Sequence, residues 1–198
     1  DRGIGNSSQG KPTDTTLDFA TDAMAAGKFL KSQPGINPAG VGILGHSEGG
    51  SIALITAATM PDDIAFAISL AGVAVKGRDA MIEQNHMIAQ ASGQPLPAHI
   101  SQIVNNIFWA IDTITDNSLL PTKIKELMTD AAMHSDTQIE QSVLVMTSPW
   151  YKSFIRLDMS HQIDTGIKLF IFRPVSLMHG KSHIRNHSKQ IGLVFRVH

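Results

Sequence analysis

The stretch that decides the reading of this chain is Gly42-Ile43-Leu44-Gly45-His46-Ser47-Glu48-Gly49-Gly50. It contains Gly-x-Ser-x-Gly between an apolar run and an Ala-rich segment. Val41 to Leu44, bounded by Gly40 and Gly45, has the character of a strand buried on both faces. Residues 48–59 are rich in Ala, Ile and Leu and stop before Pro61, which predicts a helix. A serine on a tight strand-to-helix turn takes a strained backbone conformation and presents its hydroxyl above the sheet, at a helix N-terminus that favours developing negative charge. Ser47 is therefore the candidate nucleophile. The backbone N–H of Glu48 is the candidate first oxyanion donor. Gly45 and Gly49 are expected to let strand and helix approach. A purely structural Gly-rich turn is the plainer alternative. A phosphate-binding loop fits less well, because no Lys-Ser/Thr follows the glycines.

Working outward, Thr15 and Asp18 have capping-box spacing. Phe19, Ala23, Ala26 and Leu30 recur at helical period, so about 16–32 reads as a helix with one buried stripe. Ala65 to Leu70 is a second strand-like run. The alternation of helix and strand over short joints predicts a parallel sheet covered by helices, an α/β fold. Residues 76–146 change character. A helix is expected from about 79 to 92, ending at Gly93. Ile100, Ile103, Val104, Ile107, Phe108, Ile111 and Ile114 give a clear amphipathic helix. Pro121 is expected at the first position of the next, with Ile124, Leu127, Met128 and Ala131 as its stripe. Met81, Met87, Met128, Met133 and Met146 fall in this stretch, either as core filling or as a pliable cover over a site. A short helix follows Pro149. Ile167–Phe172 and Pro174–Met178 read as a return to strand. The expected division is 1–75 as first part of the core, 76–147 as a helical cap insertion, and 148–198 as the return to the core.

The 198 residues include 16 Lys and Arg against 17 Asp and Glu, a net charge of −1, with 42% hydrophobic residues. That balance excludes a strongly basic nucleic-acid surface and a chain disordered by composition. Apolar runs are too short for a bilayer-spanning helix. The absence of cysteine excludes disulfides, thiolate nucleophiles and Cys-based zinc sites. No cofactor or metal is expected, and the compartment is left open.

With these motifs in place, the chain resembles the α/β-hydrolase superfamily, in its bacterial esterase and dienelactone-hydrolase-like branch. Asp1-Arg2-Gly3-Ile4-Gly5-Asn6-Ser7 is similar to the superfamily's D-R-x-G-x-S segment, and 42–50 to its nucleophile elbow. Ala71-Gly72 after the second strand is typical, and Ser148-Pro149-Trp150-Tyr151 resembles the return from a cap. The resemblance implies a parallel-sheet α/β-hydrolase core, incomplete here, with an inserted helical cap. It also implies strands and an oxyanion loop upstream of Asp1, so the chain reads as cut from something longer. Pro174 to His183 is similar to a strand and loop that normally end on the triad acid, and His183 occupies that position.

Nine histidines compete for the role of base. His46 is expected to shape the turn. His86, His99 and His134 are expected to face solvent, and His179, His183 and His187 to be incidental. The function implied is a serine hydrolase that cleaves carboxylic esters through an acyl-enzyme on Ser47. The alternatives are a serine peptidase of the prolyl-oligopeptidase or aminopeptidase kind, or a catalytically impaired fragment. The partner expected is a small-molecule ester, with a homodimer through an exposed sheet edge as a further possibility.

Overall fold

The computed structural model describes residues 2–131, 135–160 and, for the backbone alone, 169–172. Chain order gives α1 (Thr16–Lys31), β1 (Ile43–His46), α2 (Glu48–Thr59), β2 (Ala67–Leu70), α3 (Gly77–Ala91), α4 (Ala98–Thr113), α5 (Leu119–Ala131), α6 (Asp136–Met146), α7 (Pro149–Arg156) and β3 (Leu169–Phe172). The three strands form one parallel sheet in the order β1-β2-β3. Ile43 pairs with Ala67 and Ala67 with Leu169. The fold is mixed α/β, with a small parallel sheet and mostly helices, as the alternation of elements required. The expected strand at Pro174–Met178 lies outside the described residues.

The first strand sits two residues later than its apolar run. Val41 is buried but only flanks it, accepting from the Ala65 N–H at 2.8 Å. Ile43 N–H donates to Phe66 O, and Ser47 N–H to Leu70 O. The odd-numbered residues of β1 therefore bond to β2. The even-numbered Gly42, Leu44 and His46 turn their peptide groups toward the other side, where no described strand pairs with them. Leu44 is 61% exposed there.

Helix α1 has the predicted bounds but a different buried face. Thr16 and Ala20 are buried, and Met24 packs with Ala20, Leu54, Ile55 and Met159. Ala26 is exposed and Leu30 is 42% exposed, although both belong to the expected stripe. The phase differs because the small Ala20 packs on Leu54 and Ile55 of α2, whereas Ala26 and Leu30 line a groove beside Val41 and Ile43, on the flank of β1 that no described strand pairs with. At the start of α1 the Asp18 carboxylate accepts both the N–H and the hydroxyl of Thr15, each at 2.8 Å. Helix α2 is buried at Gly50, Ser51, Ala53, Leu54, Ile55, Thr56 and Ala57. It is covered on more than one side, since it contacts α1, β1 and β2.

From α3 to α7 the chain builds a second core. Ile107, Phe108, Ile111, Leu120, Ile124, Leu127, Met128, Ile139 and Ile155 pack together; the α4 stripe is the predicted one, and of the α5 stripe Ile124, Leu127 and Met128 are buried here, joined by Leu120, while Ala131 is only half-buried. Met128 is buried and Met81 and Met146 pack against this cluster, so these methionines fill core; Met133 lies outside the described residues. Helix α5 opens at Leu119, two residues ahead of expectation, so Pro121 is its third residue. Proline is accommodated because the first turn of a helix has no carbonyl to receive its N–H. Helix α6 starts on a capping box, with Ser135 N–H donating to Gln138 Oε1 at 2.9 Å.

Helix α7 ties the two cores together. Ile155, Tyr151 and Phe154 pack into the helical cluster, while Leu157 and Met159 just beyond belong with α1 and α2. Arg156 donates to Ile111 O at 3.0 Å and Ile114 O at 2.7 Å, closing the C-terminal end of α4. Lys76 and Arg78 both donate to Asp112 Oδ2 at 2.8 Å, and the Arg78 guanidinium lies 3.7 Å over the Trp109 ring. Among the described residues no helix is long and apolar enough to cross a membrane.

Candidate functional site

Ser47 stands between β1 and α2 with φ 54° and ψ −122°. A non-glycine residue in that region is strained, and such strain is held only when the surroundings impose it. A serine preceding a helix ordinarily caps it from extended backbone. Ser47 cannot do so from this conformation and makes no side-chain cap bond; the residue is exposed, and among the described residues its hydroxyl has no partner. Its carbonyl accepts from the N–H groups of Gly50 and Ser51 at 2.9 and 3.4 Å. The amides ahead of these belong to the first turn, which has no partners within the helix. The Glu48 N–H is the first of them.

Gly45, Gly50 and Gly72 explain how the turn is held. A Cβ on Gly45 would overlap the carbonyl of Gly49. A Cβ on Gly50 would lie 2.6 Å from Ser69 Oγ and 2.7 Å from Gly72 Cα. A Cβ on Gly49 would meet nothing within 4 Å. Gly45 and the Gly49 backbone thus approach closely, as expected, but it is Gly45 and Gly50, with Gly72 opposite, and not Gly49, where a side chain is excluded. Position 49 faces open space because the helix turns its other side to β2. Ala71, next to Gly72, has φ 51°, so a second strained residue follows β2 at the same end of the sheet.

The Glu48 side chain has a definite place. Its Oε1 accepts from Thr16 Oγ1 and from Trp150 Nε1, each at 2.7 Å. Thr16 is fully buried, so this bond satisfies a hydroxyl that would otherwise be costly to bury. Sequence reading singled out Glu48 for its backbone and missed Thr16 and Trp150, which lie 32 and 102 residues away from it. The only local trace was the Ser148-Pro149-Trp150-Tyr151 segment. There Ser148 Oγ accepts from the Tyr151 N–H at 3.2 Å and starts α7.

The histidines are dispersed. His46 is exposed at the end of β1, and His99 is exposed on α4. His86 is not solvent-facing as expected but half-buried, 3.1 Å from Ser101 Oγ, because α3 packs against α4 there. His183 lies outside the described residues, as do His134, His179 and His187. Among the described residues no group of three His, Cys, Asp or Glu could hold a metal ion.

A parallel sheet flanked by helices, with a strained serine where a strand meets a helix, defines the class as an α/β-hydrolase-like protein. More particularly, the model of one family, described as BAAT / acyl-CoA thioester hydrolase C terminal, matches residues 17–143, and the chain belongs to that family. The matched stretch runs from α1 through the Ser47 turn and the helical section into α6. No curated protein matches the chain. Among solved structures it is similar to a lipase-esterase related protein from Clostridium acetobutylicum ATCC 824, at 16% identity and a TM-score of 0.35, over 87% of this chain and 72% of that one.

Proposed function

We propose that the protein is a serine acyl hydrolase, with Ser47 as nucleophile and the Glu48 N–H as an oxyanion donor. The observation that carries this reading is the conformation of Ser47: φ 54° and ψ −122° on an exposed residue whose hydroxyl is not spent on capping the helix that follows. Strain of this kind is maintained where it serves pre-organisation. The family match supports an acyl-CoA thioester as substrate class, and the esterase-like turn sequence supports a carboxylic ester. Both offer the same electrophile. Ser47 Oγ bonds to the acyl carbon, the carbon–sulfur or carbon–oxygen bond breaks, and a thiol or alcohol leaves with the serine proton. Water then cleaves the acyl-serine and restores the hydroxyl. The helical section 76–147 acts as a cap in this reading.

The test compares hydrolysis of short acyl-CoA thioesters and p-nitrophenyl acyl esters by the protein and its Ser47→Ala variant. Hydrolysis of at least one class is expected, with a loss of more than about 10³-fold in the variant. Equal rates in the two proteins overturn Ser47 as nucleophile. The relative rates on thioester and ester decide the substrate class.

A further inference from the structure

We propose that Trp150 is a positioning residue for the Ser47 turn, acting through the Glu48 carboxylate. The inference rests on Ser47 being the reactive serine.

Glu48 is the first residue of α2, where the helix dipole stabilises a carboxylate. The same residue supplies the backbone N–H that would face an oxyanion, so an unrestrained carboxylate there works against the charge that develops beside it. In this protein the carboxylate is held. One oxygen, Oε1, accepts from Thr16 at the start of α1 and from Trp150 at the start of α7, both at 2.7 Å. Hydrogen bonds to an ionised acceptor are short and strong, and two on one oxygen fix the side chain in direction as well as place.

The two donors differ in what they connect. Thr16 is fully buried and belongs to the same α/β core as α2. Trp150 belongs to α7, whose Tyr151, Phe154 and Ile155 pack into the helical core. Its ring lies edge-on to Tyr151 at 5.7 Å and stacked on Phe154 at 6.5 Å. The indole N–H is thereby aimed by the helical section and received by the turn. A shift of α7 reaches the residue after Ser47 through this bond, whereas Thr16 holds Glu48 from α1.

The chain has two tryptophans, so the Trp150 indole N–H signal is assigned in a ¹⁵N spectrum by comparison with Trp109→Phe. Glu48→Ala is expected to shift that signal and to speed its exchange with solvent. Glu48→Gln keeps an acceptor oxygen and is expected to leave the indole protected. Reaction of Ser47 with a fluorophosphonate is expected to slow about tenfold in Trp150→Phe and in Glu48→Ala. Glu48→Gln is expected to recover most of the rate lost in Glu48→Ala, with melting temperatures close to the parent in Trp150→Phe and Glu48→Gln and a lower one in Glu48→Ala, where the buried Thr16 hydroxyl loses its acceptor. An unshifted indole in Glu48→Ala overturns the contact. Unslowed labelling in Trp150→Phe, or in Glu48→Ala if the former does not fold, overturns the positioning role. A parent protein in which Ser47 does not label at all overturns the nucleophile reading and the positioning role with it, while the indole signal still decides whether the contact exists.

Discussion

At Gly45 any side chain would overlap the Gly49 carbonyl, and at Gly50 any side chain would press on Ser69 and Gly72. Neither neighbour is the far end of a flexible group. Gly45→Ala and Gly50→Ala are therefore expected to cost at least about 3 kcal/mol, at the upper end of what overpacking does. Gly49→Ala replaces a helical glycine by a better helix former in open space, and is expected to gain up to about 1 kcal/mol. Chemical denaturation of the three variants checks this ranking. A Gly49→Ala variant as damaged as the other two would contradict the close approach described. Spacing alone could not separate Gly49 from Gly50, since both neighbour Ser47 and only the packing of α2 on β2 tells them apart.

Among the elements, α4 depends on a residue from α7. Arg156 donates to two carbonyls in the last turn of α4, where cations are also favoured by the helix dipole. Arg156→Met keeps much of the apolar stem and is expected to cost about 1.5–3 kcal/mol. Arg156→Lys is expected to recover only part, because an ammonium lacks the planar fork that reaches both carbonyls. Thermal unfolding of the two variants provides the measurement. The loop before α1 is held differently. Arg2 pairs with Asp14 at 2.7 Å and with Asp22 at 2.6 Å. Hydrogen bonding to Arg2 holds both carboxyls below their ordinary value of 3.8. Thr15 does the same for Asp18. Groups with lowered folded values contribute above the ordinary carboxylate range and lose that contribution as pH falls through the lowered values. Residues 2–14 are thus expected to gain proteolytic or exchange accessibility below about pH 4, before the helical core opens. Uniform protection of this loop down to pH 2 would contradict the anchoring.

On the scale of the whole molecule, β1 pairs with β2 alone among the described residues. Gly42, Leu44 and His46 turn peptide groups to a side with no described partner strand. Beside them Ala23, Gly27, Leu30, Val41 and Ile64 line an apolar groove between α1 and β1. A strand edge without a partner recruits other chains, and a net charge of −1 offers little repulsion between copies. Concentration-dependent association is therefore expected in sedimentation experiments, weakened by Leu44→Lys. Association unchanged by that substitution would place the contact elsewhere. Two cores joined through α7 also predict that the molecule responds to change at the joint. The Lys76, Arg78 and Asp112 cluster lies where the chain leaves the sheet for the helical section.

The sequence by itself determined the element types, the parallel α/β class and the serine turn. These follow from local rules: apolar period, glycine and proline punctuation, and a strand–turn–helix context that strains one residue. It also determined the buried stripes of α4 and α5, because a helix packed among helices shows one continuous apolar face. The tertiary structure alone decided the rest. It set the buried face of α1, which depends on where α2 and β1 lie. It chose Gly50 over Gly49 and brought His86 to Ser101. It also carried Trp150 across 102 residues to Glu48. These outcomes depend on which surfaces meet in space, and a pair so far apart in the chain leaves no periodic trace in either neighbourhood.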